Sequence, residues 1–393
     1  MTVSPVRPIS AAEAALRVEL APQPGQILKP VEVAPVVSPQ ASVTDHIALR
    51  MPATPVPGLP ENSPEAALAQ TVKMAIQDAA TRQGGLAPLL ADLDQALTSP
   101  GLPAPLKAAA ARMLASQPSL GAAPTGDELR TAFGRSGLFL EARIAAALSP
   151  ADGRPVSARA ADQALAAQLA AGVDAKAALL VLREALRTWL AAEGRAPPEP
   201  RHALTPERPP TPPHREGPIG GQPPAPPSLP PEASPPAIAQ RLLQAAGAAL
   251  AREELLQIAS LREAQPGSPA EGARWMFEIP LTTPHGPAVA QFEIARDGGG
   301  GASDAEPQPV WRARFAVDFE PLGPVHVHLS LKPGRTAVTL WAEREATATI
   351  LRDKGGALGQ ALRAADMIAE IAVYSGAPKV EPAPAGSFVD QAS

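Results

Sequence analysis

The chain has 393 residues with 50 prolines, 30 glycines, no cysteine and 3% aromatic residues, so its length overstates the mass that can pack densely. A formal net charge of −5 without a basic stripe excludes sequence-independent nucleic-acid binding, which needs clustered Lys and Arg. The missing cysteines exclude disulfides, thiolate metal sites and cysteine nucleophiles. No apolar run reaches the roughly 18–20 uncharged residues of a membrane span, and the N-terminus, broken by Pro5 and Pro8, has no apolar stretch of the kind a cleavable signal needs. Neither stable membrane insertion nor a cleaved signal peptide is expected.

Residues 1–62 contain ILKPVEVAPVVSPQ and MPATPVPGLP. Proline at that frequency forbids helix interiors and central strands, so this part is expected to be disordered. From residue 63 to 194 the chain is Ala/Leu-rich and reads as α-helical. Ser63 and Pro64 suit a helix start, and Gly84-Gly85 a stop. Short helices over 86–97 and 106–117 flank the breaker TSPGLPAP, and Thr125 with Glu128 forms a capping box ahead of Leu129 and Phe133. The segment 136–148 follows. Over 174–193, Leu179, Leu182, Leu186 and Trp189 form one apolar stripe that reads as core rather than docking surface. With alanine at so many inward positions, this region is expected to be weakly stable. Residues 195–236 hold 17 of the 50 prolines and read as a semi-rigid spacer of the polyproline type. A helix over 237–265 leads out of it.

The segment 266–378 is the part that reads as a β-rich core. Eight of the 12 aromatics lie in it: Trp275, Phe277, Phe292, Trp311, Phe315, Phe319, Trp341 and Tyr374. Trp275, Phe277, Ile279 and Leu281 alternate, Pro284–Pro287 turn the chain, and Ala290, Phe292 and Ile294 alternate again, which predicts a hairpin with one buried face. After Gly298–Gly301, Trp311, Ala313, Phe315, Val317 and Phe319 share one face while Arg312, Arg314 and Asp318 take the other. Pro321-Leu322-Gly323-Pro324 turns into Val325, Val327, Leu329 and Leu331, and Lys332–Arg335 turns into Val338, Leu340 and Ala342. A helix over 346–367, with Leu351, Leu358 and Leu362 inward, and a last strand over 371–375 complete an α+β domain: a mixed or antiparallel sheet with a covering helix. Residues 379–393 read as a disordered tail, and no repeat of fixed period indicates a solenoid.

Chemistry-bearing patterns are sparse. Gly298–Gly301 lacks the Gly-Lys-Ser/Thr of a phosphate loop and reads as a hairpin insert. His326 and His328 share one strand face with no third ligand evident, so a solvated face is preferred to a metal site. Ser136-Gly137 lacks the flanking glycine of a nucleophile elbow. No catalytic constellation is visible, and neither enzymatic activity, a cofactor nor a metal is expected. Trp341, with Thr339 and Glu343, points away from Val338, Leu340 and Ala342. If the strands pair in sequence it lies near His326, His328 and Arg314, as an aromatic anchor in a half-polar patch; the alternative is that the helix before the sheet covers it.

The ordered set of Trp275–Leu281 (Trp-x-x-x-Ile-Pro-Leu), Trp311 on an alternating strand, Pro321-Leu322-Gly323 into Val-x-Val-x-Leu, Trp341-Ala342-Glu343, a Leu-spaced helix and a final strand resembles the C-terminal domain of bacterial flagellar hook-length control proteins. The likeness spans about a quarter of the chain, and Ser136–Glu141 is similar to a segment in the middle of some such proteins. Gly355 and Gly356 inside the helix depart from the pattern, and Asp366-Met367 stand where a Gly-Leu pair is usual.

The resemblance implies a non-enzymatic, monomeric protein of the flagellar type III export system. Such a protein starts in the cytoplasm, is exported through the flagellar channel, senses hook length with its N-terminal part among the hook and hook-cap subunits, and switches export from hook to filament substrates. The switch implies contact between the C-terminal domain and the cytoplasmic domain of the export-gate switch protein. Pro321, Leu322, Gly323 and Val325 carry over as contact or fold-critical positions, with Gly323 equally explained by a turn needing positive φ; Trp341 joins them as a partner-binding candidate. The 236 residues before the domain span at most about 800 Å extended and about 350 Å as helix, enough to reach tens of nanometres. The rival class is a cytosolic adaptor or scaffold in which a Pro-rich spacer separates two docking domains. A hydrolase with diverged motifs is a third reading.

Overall fold

The computed structural model describes residues 64–379, apart from 117–123, 149–158, most of 160–173, 196–209, 216, 231, 262–271, 298–309 and 333. The expected N-terminal disorder, nearly all of the C-terminal tail and the glycine-rich insert lie outside the described residues. The helices are α1 (Pro64–Arg82), α2 (Leu86–Thr98), α3 (Ala104–Ser116), α4 (Gly126–Arg135), α5 (Leu140–Leu148), α6 (Ala175–Ala192) and α7 (Pro235–Ser260). The strands β1 (Arg274–Thr283), β2 (Gly286–Asp297), β3 (Val310–Phe319), β4 (Gly323–Lys332) and β5 (Arg335–Ala342) follow, then α8 (Glu345–Ala364) and β6 (Ala369–Ser375).

The helical half is built on leucine stripes. Leu179, Leu182 and Leu186 of α6 are buried against Leu89, Leu90 and Leu93 of α2, Leu106 and Met113 of α3, and Leu242 and Leu250 of α7, with Trp189 packed at the margin. The capping box forms as the sequence predicts: Glu128 N–H donates to Thr125 Oγ1 at 3.2 Å, and Thr125 N–H donates to Glu128 Oε2 at 2.7 Å. Asp174 caps α6 by accepting from Ala177 N–H at 3.0 Å.

The sheet runs in chain order, β1-β2-β3-β4-β5-β6. Its pairs are antiparallel up to β5, and β6 joins β5 in parallel through the α8 crossover. Register aligns Phe277, Phe292, Phe315, Val327, Leu340 and Val373 in one apolar row. The stacked rings of Phe277–Phe292 and Phe292–Phe315 lie 5.2 and 5.3 Å apart. On this face α8 covers the β4–β6 side through Leu351, Leu358 and Leu362, and Ala132 and Phe133 of α4 cover β1 at Phe277 and Ile279. Helix α8 ends at Ala364 rather than 367, because Asp366 takes φ 58°, a left-handed turn that Asp tolerates better than most residues.

Two expectations are corrected. The β1–β2 hairpin is not half-solvated: Met276 and Glu278 are as buried as Phe277 and Ile279, because α7 packs over β1 and supplies Glu278 with a partner. Arg252 of α7 donates from Nε to Glu278 Oε1 at 2.7 Å and from Nη1 to Gln83 Oε1 at 2.7 Å and the Thr211 carbonyl at 3.1 Å. Gln222 donates to Glu278 Oε2 at 3.0 Å.

The second correction concerns the spacer, of which the described residues between 210 and 230 are packed rather than free. Gln222 forms a two-bond antiparallel bridge with Val289 of β2, beside the point where the β2–β3 pairing ends at Gln291↔Ala316. Its side chain accepts from the N–H groups of Leu86 and Ala87 at 2.7 and 3.2 Å, satisfying the orphan donors at the start of α2. Asp92 of α2 accepts from the Ser228 N–H at 2.5 Å and hydroxyl at 2.7 Å. Gly221 passes so close to β3 that a Cβ there would lie 2.5 Å from Asp318 N. The described helices and sheet consequently fall in one compact unit, 58–393.

Beside this network a cavity of about 20 Å³ is lined by Ser136, Lys176, Arg252, Glu253, Leu256 and Glu278, among others. Glu253 is buried with Oε1 unpaired. Burial pushes its carboxyl up to about 8, with Lys176 opposing and Glu278, Asp174 and Glu141 reinforcing the rise. A folded pKa above the unfolded value of 4.5 means that the group's stabilising contribution is complete below about 4.5 and lost as pH rises through about 8. Thermal melts from pH 4.5 to 8.5 are expected to show a falling Tm that Glu253→Gln flattens. Arg252→Met, which strands a buried carboxylate, is expected to cost about 3–5 kcal/mol in urea unfolding, and Arg252→Met with Glu278→Leu to recover most of it.

Candidate partner-binding surface

The turn between β3 and β4 is held by Arg344, the residue preceding α8. Its guanidinium forks onto Glu320, with Nη1 at 2.6 Å from Oε2 and Nη2 at 2.6 Å from Oε1, and Nη1 also donates to the Pro321 carbonyl at 3.0 Å. This bidentate geometry holds the Glu320 carboxyl below its ordinary range. The Glu320–Pro321 peptide is cis, and Gly323 has φ 68°. A Cβ on Gly323 would fall 2.4 Å from Arg344 Nε. The Leu322 carbonyl accepts from Thr347 of α8 at 2.7 Å, and the Leu322 side chain joins the cluster under α8 together with buried Val325.

The five sequence candidates therefore divide. Pro321 is exposed, while Leu322, Gly323 and Val325 serve the turn and the α8 core. Trp341 lies on the opposite face of the sheet. There it sits across from His326 in the β4–β5 register, with the His328 ring 4.5 Å away edge-on and the Tyr374 ring stacked at 5.9 Å. Arg314 is the register neighbour of His328 and forms an ion pair with Glu293, and His326 Nε2 lies 3.1 Å from Glu343. Burial, helped by Arg314 and His326, lowers His328 to about 4, so its imidazole is neutral at physiological pH. Helix α7, the expected alternative cover, packs on β1, on the same face as Trp341 but at the far edge of the sheet.

Tyr374 and the Arg344–Glu320 fork were not foreseen from sequence. Trp341 and Tyr374 become neighbours only through the parallel β5–β6 register, which depends on how far α8 carries the chain. Among the described residues no group of three or more His, Cys, Asp or Glu could hold a metal ion, and no helix is long and apolar enough to cross a membrane.

With this geometry in view, residues 299–380 match the family model described as flagellar hook-length control protein FliK. Over these residues the chain is similar to that family. The match takes in β3, β4, β5, α8 and β6, about a fifth of the chain, and leaves β1 and β2 outside it although they continue the same sheet. Neither comparison with curated proteins nor comparison with solved structures finds a match.

Gly323→Ala is expected to destabilise the chain by about 1–2 kcal/mol from its left-handed backbone alone, and further through displacement of Arg344. Urea unfolding of the variant, and of Gly323→Ala combined with Arg344→Ala, separates the two costs.

Proposed function

We propose that the chain acts, without catalysis, as the hook-length control protein of a flagellar export system. In this reading it is exported through the flagellar channel, its N-terminal part reports hook length, and its C-terminal domain meets the cytoplasmic domain of the export-gate switch protein, turning export from hook to filament subunits. The observation that carries the reading is the match of 299–380 to the hook-length control family, laid over a domain whose one face is closed by α8 and whose other presents the half-polar group of Trp341, His328 and Tyr374. Aromatic anchors of this kind are enriched at binding hot spots, which supports the Trp341 face as the switch contact. Leu322, Gly323 and Val325 support that face from behind.

The reading has two tests. Cells lacking residues 274–375 are expected to build overlong hooks without filaments; normal filaments in that deletion would refute it. The chain is also expected in the medium, uncleaved, only while the export gate works, whereas strict retention would favour the adaptor class. Trp341→Ala is expected to weaken binding to the switch protein's cytoplasmic domain by about tenfold or more with little change in Tm. Val325→Ala is expected to cost about 1–3 kcal/mol of stability, with binding reduced only as far as the fold is lost.

A further inference from the structure

The sheet has two edges, and they are treated differently. At β1, the Met276 N–H points outward and donates to Ser260 Oγ of α7 at 2.8 Å. Pro280 has the same parity, so its missing N–H also falls on the outer side. This edge is closed by a helix and a proline, two of the standard guards against unwanted strand pairing.

At β6 the situation is the reverse. Ile368 accepts from Thr336 N–H at 2.8 Å, and Gly376 N–H donates to the Ala342 carbonyl at 2.8 Å. In a parallel ladder both backbone groups of a residue point the same way. The even-numbered residues of β6 therefore bond to β5, and Ala369, Ile371, Val373 and Ser375 turn their N–H and C=O groups outward. Among the described residues nothing bonds those outward groups. The strand AEIAVYS contains no proline and no lysine, and Glu370 is its single charge.

The flank of this edge has a definite chemistry. Ile368 and Tyr374 are 74% and 52% exposed and share the face of Trp341, with Glu370 and Ala372 between them. Glu370 faces Arg335 across β5, but 68% of its side chain remains exposed. An incoming strand that satisfied the outward groups would lay alternate side chains along Ile368, Glu370, Ala372 and Tyr374. Apolar residues match the first and last, and a lysine or arginine matches Glu370.

We propose that β6 is a strand-addition site: a partner protein contributes an extended segment, apolar at alternate positions with one Lys or Arg among them, as a seventh strand beside Tyr374. The identification of that partner with the export-gate switch protein rests on the preceding reading; the edge itself does not.

Amide exchange at Ile371 and Val373 tests it in the full-length chain. The probe is the peptide Thr-Val-Thr-Lys-Thr-Thr-Thr-Val-Thr, with the same peptide N-methylated at every residue as control. Exchange at both amides is expected to slow by about tenfold or more with the first peptide at saturation and to stay unchanged with the second. Glu370→Lys is expected to weaken the effect about two- to fivefold, and a peptide carrying Glu in place of Lys to restore it. Unchanged exchange with the first peptide overturns the proposal, as does protection that rises with the chain's own concentration, which would assign the edge to a second copy. The cytoplasmic domain of the switch protein separates the two readings. Binding with Ile371 and Val373 protected supports both. Binding with those amides unprotected overturns strand addition alone, and no binding while the peptide still protects overturns the partner's identity alone.

Discussion

The buried pair of Arg252 and Glu278 is the constraint on which the arrangement of helices and sheet depends. A carboxylate on the inner face of β1 and a guanidinium on α7 could not both leave water without partners for every remaining donor and acceptor. Those partners come from two further segments: Gln83 at the end of α1, and Thr211 and Gln222 of the proline-rich connection. Four stretches distant in sequence are thereby required to meet at one point. Apolar packing would tolerate several sliding arrangements of α7 on the hairpin, whereas the ion pair tolerates one.

The same logic accounts for the division of the sheet. Its apolar row extends without a break from Phe277 to Val373, and two separate helices share the cover, α4 over β1 and α8 over β4 to β6. The other face is polar along its length. At β1 and β2 it is occupied by the Arg252 network, and at β4 to β6 it carries His326, His328, Trp341 and Tyr374. The region similar to the hook-length control family thus begins where the helical cover of the polar face gives way, and the β1–β2 hairpin, outside the family match, supplies the pairing that the β3 strand would otherwise lack.

Much of this could be read from residues in sequence. Alternation placed all six strands, and leucine spacing placed α6 and the inward side of α8. Thr125 with Glu128 announced the start of α4. Strand parity put Trp341 beside His326 and His328. What failed depended on distant partners. The alternation of Trp275 to Leu281 cannot reveal that Glu278 is buried, because the charge that permits it lies 26 residues earlier on another element. Proline content correctly denied helix and strand interior to the described residues between 210 and 230, yet it says nothing about whether an extended chain is free or packed; Gln222, Ser228 and Leu229 decide that by contacts with α2 and β2. Val325 carries over from the resemblance as a contact or fold-critical position, and the path of α8 shows that it is core.

The sheet's plain chain order carries a mechanical consequence. From β1 to β5 every strand is joined to its predecessor by a reversal and lies directly beside it, with the first strand at the rim. A pull applied from the N-terminal side, as threading into a narrow conduit would apply it, loads β1 at Arg274, next to Ala295, where the chain of β2 continues to β3. The ladder is then opened like a zipper, one rung at a time, instead of being sheared with all rungs loaded together. Each strand removed leaves the next one at the rim in the same geometry. A force that arrives from the end at which the strands are counted therefore meets the ladder one rung at a time.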